Sequence, residues 1–114
     1  MRRPMTVVGL GFRSKVTPEA LLQALAQVGP FDAIATAAAK ARALTALLPE
    51  ALVIGVDVAG VPTPTQSQAA LAAYDTGSVA EAAALCAAGP GARLCQTRRI
   101  IGGVSIAVAQ GETT

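Results

Sequence analysis

The chain holds no histidine and no tryptophan, one tyrosine, two phenylalanines and two cysteines in 114 residues. Without histidine it cannot build a Ser-His-Asp triad, a histidine-bearing zinc site or an imidazole proton shuttle. Two cysteines fall short of the four thiolates of an all-cysteine zinc site. No metal and no cofactor is therefore expected. Charge is also scarce. Nine Lys and Arg against seven Asp and Glu leave a formal charge of +2, too weak for the electrostatic footprint of a nucleic-acid binder. No uncharged apolar run reaches the ~18 residues of a membrane-spanning helix. Met1-Arg2-Arg3-Pro4 is basic and an apolar stretch follows, but no small-residue cleavage site comes after it.

What is present is alanine. Of the 53% apolar residues, 26 are Ala, against 11 Leu, 11 Val and 5 Ile. Large side chains are few, so the core must pack Val, Leu and Ile against Ala faces. Alanine favours helix and permits close helix approach, though each one buries little area. The length fits a single domain over residues 1–114, with 110–114 as a flexible tail. Cys86 and Cys95 lie in apolar settings and read as reduced core thiols of a cytoplasmic protein.

Met5 to Phe12 is short, apolar and β-branched, which predicts a first strand. Thr17-Pro18-Glu19 starts a helix with a cap, a proline at the first position and an acid in the first turn. Leu21, Leu22, Leu25 and Val28 form its expected buried stripe, and Gly29-Pro30 stops it. Phe31 to Thr36 reads as a second strand. Ala37 to Leu48 reads as a second helix, with Leu44, Leu47 and Leu48 on one face. Ala51 to Val58, almost unbroken in apolar character, suits a central parallel strand. The prolines at 62 and 64 make a loop, after which Ser67 is placed to cap a helix through Tyr74. Ser78-Val79-Ala80-Glu81 is a capping-box pattern ahead of a helix to Ala88. Arg93 to Thr97 and Gly103 to Ala109 read as strands joined through residues 98–102 in an antiparallel hairpin. The order predicts an α/β fold: a three-layer α/β/α arrangement with a mixed five-stranded sheet ending in an antiparallel hairpin. In such sheets ligands bind beyond the carboxyl ends of the parallel strands.

Candidate sites follow from that rule. Gly9-x-Gly11 ends the first strand, but the third glycine of a dinucleotide fingerprint is Ser14, so a tight turn fits better than NAD. Arg13 and Lys15 stand between a strand end and a helix start, which favours an anion over them. Thr76-Gly77-Ser78 opens a helix with hydroxyls and free N–H groups, and Ser78 with Glu81 also satisfies ordinary capping. Arg98 and Arg99 fall at the end of the fourth strand, where a charged hairpin turn is the plain reading. Asp57 has no partner acid in sequence. No nucleophile–base pair emerges and no catalytic residue is assigned.

Three segments together resemble one family. Thr76-Gly77-Ser78-Val79-Ala80-Glu81-Ala82-Ala83-Ala84-Leu85 is similar to the TxSVAEAAAL-type motif of the CobE/CbiG C-terminal domain family of cobalamin biosynthesis. Gly91-Ala92-Arg93-Leu94, Arg98 and Gly103 to Ala109 resemble its closing segment, and Val8 to Arg13 its opening GIGCR segment. Phe12 stands where the family has Cys, Gln66 where it has Pro, and Arg98 where it has Lys. The resemblance implies a role in corrin-ring assembly. Because the first strand starts at Met5, the stand-alone CobE type is expected rather than the longer CbiG.

The leading expectation is a protein that binds or carries a corrin intermediate, hydrogenobyrinic acid or a precorrin. The expected ligand-binding residues are Gly9, Gly11, Arg13, Lys15, Ser67, Thr76, Gly77, Ser78, Glu81 and Arg98, with Arg13, Lys15, Arg98 and the two helix N-termini receiving the carboxylates. The alternatives are a CbiG-like cobalt-precorrin-5A hydrolase that opens a lactone, with Glu81 or Asp57 as base, and a scaffold passing intermediates between pathway enzymes. A homodimer is compatible with either. No nucleic acid and no membrane is expected as partner.

Overall fold

The computed structural model describes residues 5–66, 71, 78–89 and 91–111. Five strands form one sheet: β1 (Met5–Gly11), β2 (Ala33–Ala37), β3 (Val53–Val56), β4 (Arg93–Ile101) and β5 (Val104–Gly111). Their spatial order is β3-β2-β1-β5-β4. β1, β2 and β3 are parallel, while β5 runs antiparallel to both β1 and β4. Three helices are described: α1 (Pro18–Leu25), α2 (Ala38–Leu47) and α3 (Val79–Ala88). This is the expected α/β sandwich with a mixed sheet and a closing hairpin.

The two faces of the sheet are built differently. Leu21, Ala24 and Leu25 of α1 and Leu44 of α2 pack on Val8, Leu10, Ile34, Val104, Ile106 and Val108. This face is branched and bulky. On the other, Ala82, Ala83, Ala84 and Ala88 of α3 meet Val7, Ala35, Ala37 and Ala109. Period-2 alternation along β5 sends Val104, Ile106 and Val108 to the first face and Ala109 to the second. Most of the buried core alanines therefore lie on one side.

On that side helix and strand approach to backbone contact. A Cβ built on Gly9 would lie 1.8 Å from the carbonyl oxygen of Ala80, and one on Gly111 1.9 Å from that of Ala88. Glycine at these two points lets α3 lie flat on β1 and β5. Gly9 and Gly11 therefore belong to the strand itself and not to the tight turn expected for them.

Several expectations need correction. β3 is an edge strand of four residues, not the central one. Its apolar character reflects packing on both faces, Val53 with the α1 and α2 layer and Ile54 and Val56 with the α3 layer, rather than strands on both sides. Leu22 is 56% exposed, and Ala24 takes its place in the buried stripe. β4 continues to Ile101, so Arg98 and Arg99 are strand residues. The hairpin turn is Gly102-Gly103, at φ 59° and 83°. That is the left-handed pair a two-residue hairpin loop requires. Gln110 and Gly111 belong to β5 and not to a tail. Cys86 and Cys95 are exposed rather than in the core. Of the predicted helix from Ser67 through Tyr74 only Leu71 is described, helical and exposed; its other residues, and residues 112–114 of the tail, lie outside the described residues.

Partial desolvation of its sulfur, and secondly the nearby Asp57 carboxylate, push the Cys86 thiol above its ordinary value. The thiolate is the reactive form, so the thiol is held back at neutral pH. Iodoacetamide labelling of Cys86 is expected to rise at higher pH than labelling of a free peptide cysteine. Asp57→Asn should shift that profile downward, as read by peptide mass spectrometry across a pH series. An identical profile in the two proteins would remove the carboxylate from the account.

Candidate functional site

Both candidate clusters lie toward the carboxyl ends of the parallel strands. The first is the loop after β1. Val16 N–H donates to Arg13 C=O at 3.0 Å, closing a turn over residues 13–16. Thr17 Oγ1 then accepts from Ala20 N–H at 3.2 Å and caps α1, with Glu19 in the first turn. Arg13 and Lys15 project from this turn, exposed, and neither has an ion-pair partner among the described residues. Lys40, in the first turn of α2, places its Nζ 5.4 Å from the centroid of the Phe12 ring. Sequence reasoning passed over Lys40, because neither its helix face nor its spacing marks it.

The second cluster centres on Glu81, which is fully buried. Its Oε1 accepts from Thr65 N–H at 3.0 Å and from Thr65 Oγ1–H at 2.6 Å. Its Oε2 accepts from Arg98 N–H at 2.9 Å. One carboxylate thus joins α3, the loop before it and β4. Ser78 Oγ accepts from Glu81 N–H at 3.2 Å, so Ser78 caps α3 as expected. The reciprocal half of the capping box is replaced, since the Glu81 side chain turns outward to the loop and the strand.

The strand is shaped to receive it. Gln96 pairs with Val108 and Arg99 with Ile106, so Thr97 and Arg98 face a single residue of β5. That is a β-bulge, which bends a strand and re-aims its groups. Here it turns the Arg98 N–H toward Glu81. The Arg98 guanidinium donates to Gln66 C=O at 3.4 Å and closes the same loop. Arg99 reaches the other way, to Gln27 C=O at 3.3 Å and Gln96 Oε1 at 3.0 Å.

The structure therefore gathers Ser78, Glu81 and Arg98 of the expected residues into one hydrogen-bonded set. Thr65 and Gln66 are added to it. Arg13 and Lys15 share one turn. Gly9 is buried beneath α3 and Gly11 lies at its first turn, with Val79 Cβ 3.8 Å from where a Cβ would be. Ser67, Thr76 and Gly77 lie outside the described residues. Asp57 is exposed and accepts from Ala59 N–H at 3.1 Å. No helix among the described residues is long and apolar enough to cross a membrane.

A mixed sheet between two helical layers, with Arg13 and Lys15 past the end of its central parallel strand, defines a three-layer α/β protein. The sequence profile of the cobalamin synthesis G C-terminus family matches residues 6–109, and the chain belongs to that family of cobalamin biosynthesis proteins. Two solved structures are similar over nearly all of their length. One is CobE, a protein from the cobalamin (vitamin B12) biosynthetic pathway, at 29% identity and a TM-score of 0.74, covering 99% of this chain and 94% of that one. The other is the cobalamin biosynthesis protein chiG from Agrobacterium tumefaciens, at 28% identity and a TM-score of 0.66, covering 96% and 100%. No curated protein sequence matches the chain.

Proposed function

We infer that the protein binds or carries a corrin intermediate of cobalamin biosynthesis through that intermediate's carboxylate arms. The observation that carries this reading is the turn after β1. It presents Arg13 and Lys15 to solvent without an ion-pair partner among the described residues. It also sits at the start of α1, where the helix dipole adds to their field. Membership of a cobalamin-biosynthesis family supports a corrin as the class of ligand. A corrin precursor bears several acetate and propionate groups, and cations of this kind suit them.

Glu81 weighs against the lactone-opening alternative. It is fully buried and three N–H and O–H donors hold its two oxygens, whereas a general base must come within hydrogen-bond reach of the proton it takes.

The test is a titration of the purified protein with hydrogenobyrinic acid, followed by visible spectroscopy and gel filtration. A spectral shift with co-elution is expected, and free ligand at every concentration would overturn the reading. Arg13→Ala should weaken binding about tenfold, the scale of one charged hydrogen bond. Its thermal stability should stay within ~0.5 kcal/mol of wild type, as for other surface changes. Unchanged affinity would take Arg13 out of the site.

A further inference from the structure

Lys40 is half-buried in the first turn of α2. A cation at that end of a helix opposes the macrodipole. α1 and α3 carry an acid in their first turns and a side-chain cap, whereas α2 has neither. The placement of Lys40 is thus not explained by helix stability. Nor is it explained by an ion pair, since Lys40 has none among the described residues. What it has is the Phe12 ring, 5.4 Å from its Nζ.

Phe12 packs partly against the core shared by α1 and α2, so its ring is a fixed platform. An ammonium over a ring face is attracted by the quadrupole. It still has N–H donors, which no hydrogen bond within the described residues consumes. Phe12 is also the residue directly before Arg13. The ring therefore holds a third cation at the same end of the sheet, past the carboxyl ends of β1 and β2, as the turn that presents Arg13 and Lys15.

The geometry points to Lys40 as a ligand-contacting residue that takes a carboxylate arm of the corrin ligand, with Phe12 as the residue that positions it. This rests on the corrin-binding reading above. It adds to that reading a third cation and a preference for carboxylate over amide arms. Carboxylates accept from an ammonium as an ion pair, whereas an amide offers only a neutral oxygen.

The experiment compares two corrinoids, hydrogenobyrinic acid with free carboxylates and cobinamide with amides in their place. Wild type, Lys40→Met, Lys40→Arg and Phe12→Leu are titrated with each by visible spectroscopy. Lys40→Met is expected to lose about tenfold in affinity for the acid and nothing for cobinamide. Lys40→Arg should retain most of the acid affinity. Phe12→Leu should lose about threefold, the scale of an exposed cation–π contact. If Lys40→Met does not fold by circular dichroism, Lys40→Gln carries the same comparison. Wild-type affinity for the acid in Lys40→Met would overturn the inference while leaving corrin binding in place. Equal losses for both corrinoids would overturn it too, by assigning Lys40 a structural role. A wild-type protein that binds neither corrinoid would remove the parent reading and this one with it.

Discussion

Glu81→Gln should lower the melting temperature by roughly 8 °C, from a loss of about 2 kcal/mol. The carboxylate is an acceptor at both oxygens. Thr65 N–H and Oγ1–H point at one, and Arg98 N–H points at the other. Glutamine keeps the shape and puts an NH2 group in place of one oxygen. Either orientation of the amide then sets a donor against a backbone donor. A buried donor left unsatisfied costs ~1–3 kcal/mol. Glu81→Ala should cost more, since it leaves the Thr65 and Arg98 amides both without their acceptor and opens a cavity under α3. Thermal denaturation gives the stability, and amide hydrogen exchange at Thr65 and Arg98 gives the mechanism. Both amides should exchange faster in each variant. A Glu81→Gln protein with wild-type melting and wild-type protection at these two amides would show that Glu81 does not hold loop and strand together.

Gly9→Ala is expected to be the most damaging single methyl in the chain, at about 3 kcal/mol or more, the upper range for overpacking. The new Cβ would stand 1.8 Å from Ala80 O, 2.8 Å from Ala80 C and 2.9 Å from Ala84 N. All three are backbone atoms, so no side chain can rotate away. α3 would have to lift off β1, and the Glu81 bonds at its start would stretch with it. Gly111→Ala should behave alike, because Ala88 O lies 1.9 Å from the new Cβ. Gly11→Ala is the control, since its nearest contact is Ser105 Cβ at 3.4 Å, an ordinary distance. Denaturant unfolding should rank Gly9→Ala and Gly111→Ala far below Gly11→Ala. Equal midpoints for the Gly9 and Gly11 variants would contradict the close approach of helix and strand.

The element order and the helix starts at Thr17 and Ser78 could be read from the chain because they depend on local chemistry. Caps, prolines and β-branched runs act within a few residues. The misreadings were all tertiary. The run from Ala51 to Val58 looks central because an apolar run reports burial, and the layers packed on both faces supply that burial at an edge. Arg98 and Arg99 look like a turn, yet an edge strand tolerates charge and even uses it against unwanted pairing. Leu22 satisfies helical spacing but falls on the side of α1 that turns from the sheet.

The site was legible in part for the same reason. Ser78 could be recognised as a cap from its position alone. An acid three residues into a helix has the same sequence signature whether its side chain turns back to the cap or outward. Only the bulge in β4, invisible in sequence, supplies the donor that draws Glu81 outward. Arg13 and Lys15 were found because two cations in a short interval stand out. Lys40 is 25 residues past Lys15, and only folding brings it to Phe12.

The sorting of bulky and small residues to opposite faces of the sheet gives the molecule two different mutational sensitivities. Truncating a side chain harms the layer beneath α1 and α2, where Leu10, Leu21, Ile34 and Leu44 fill space. Beneath α3 there is little left to truncate, and harm comes from enlargement. An alanine scan would therefore pass silently over Ala82 to Ala84 and register this layer only where it enlarges Gly9 and Gly111. Apart from those two glycines it would score the layer beneath α3 as indifferent. A scan with a larger residue such as valine would report the opposite half. For this fold the two scans are complementary halves of one map, and either alone would misplace the residues on which it depends.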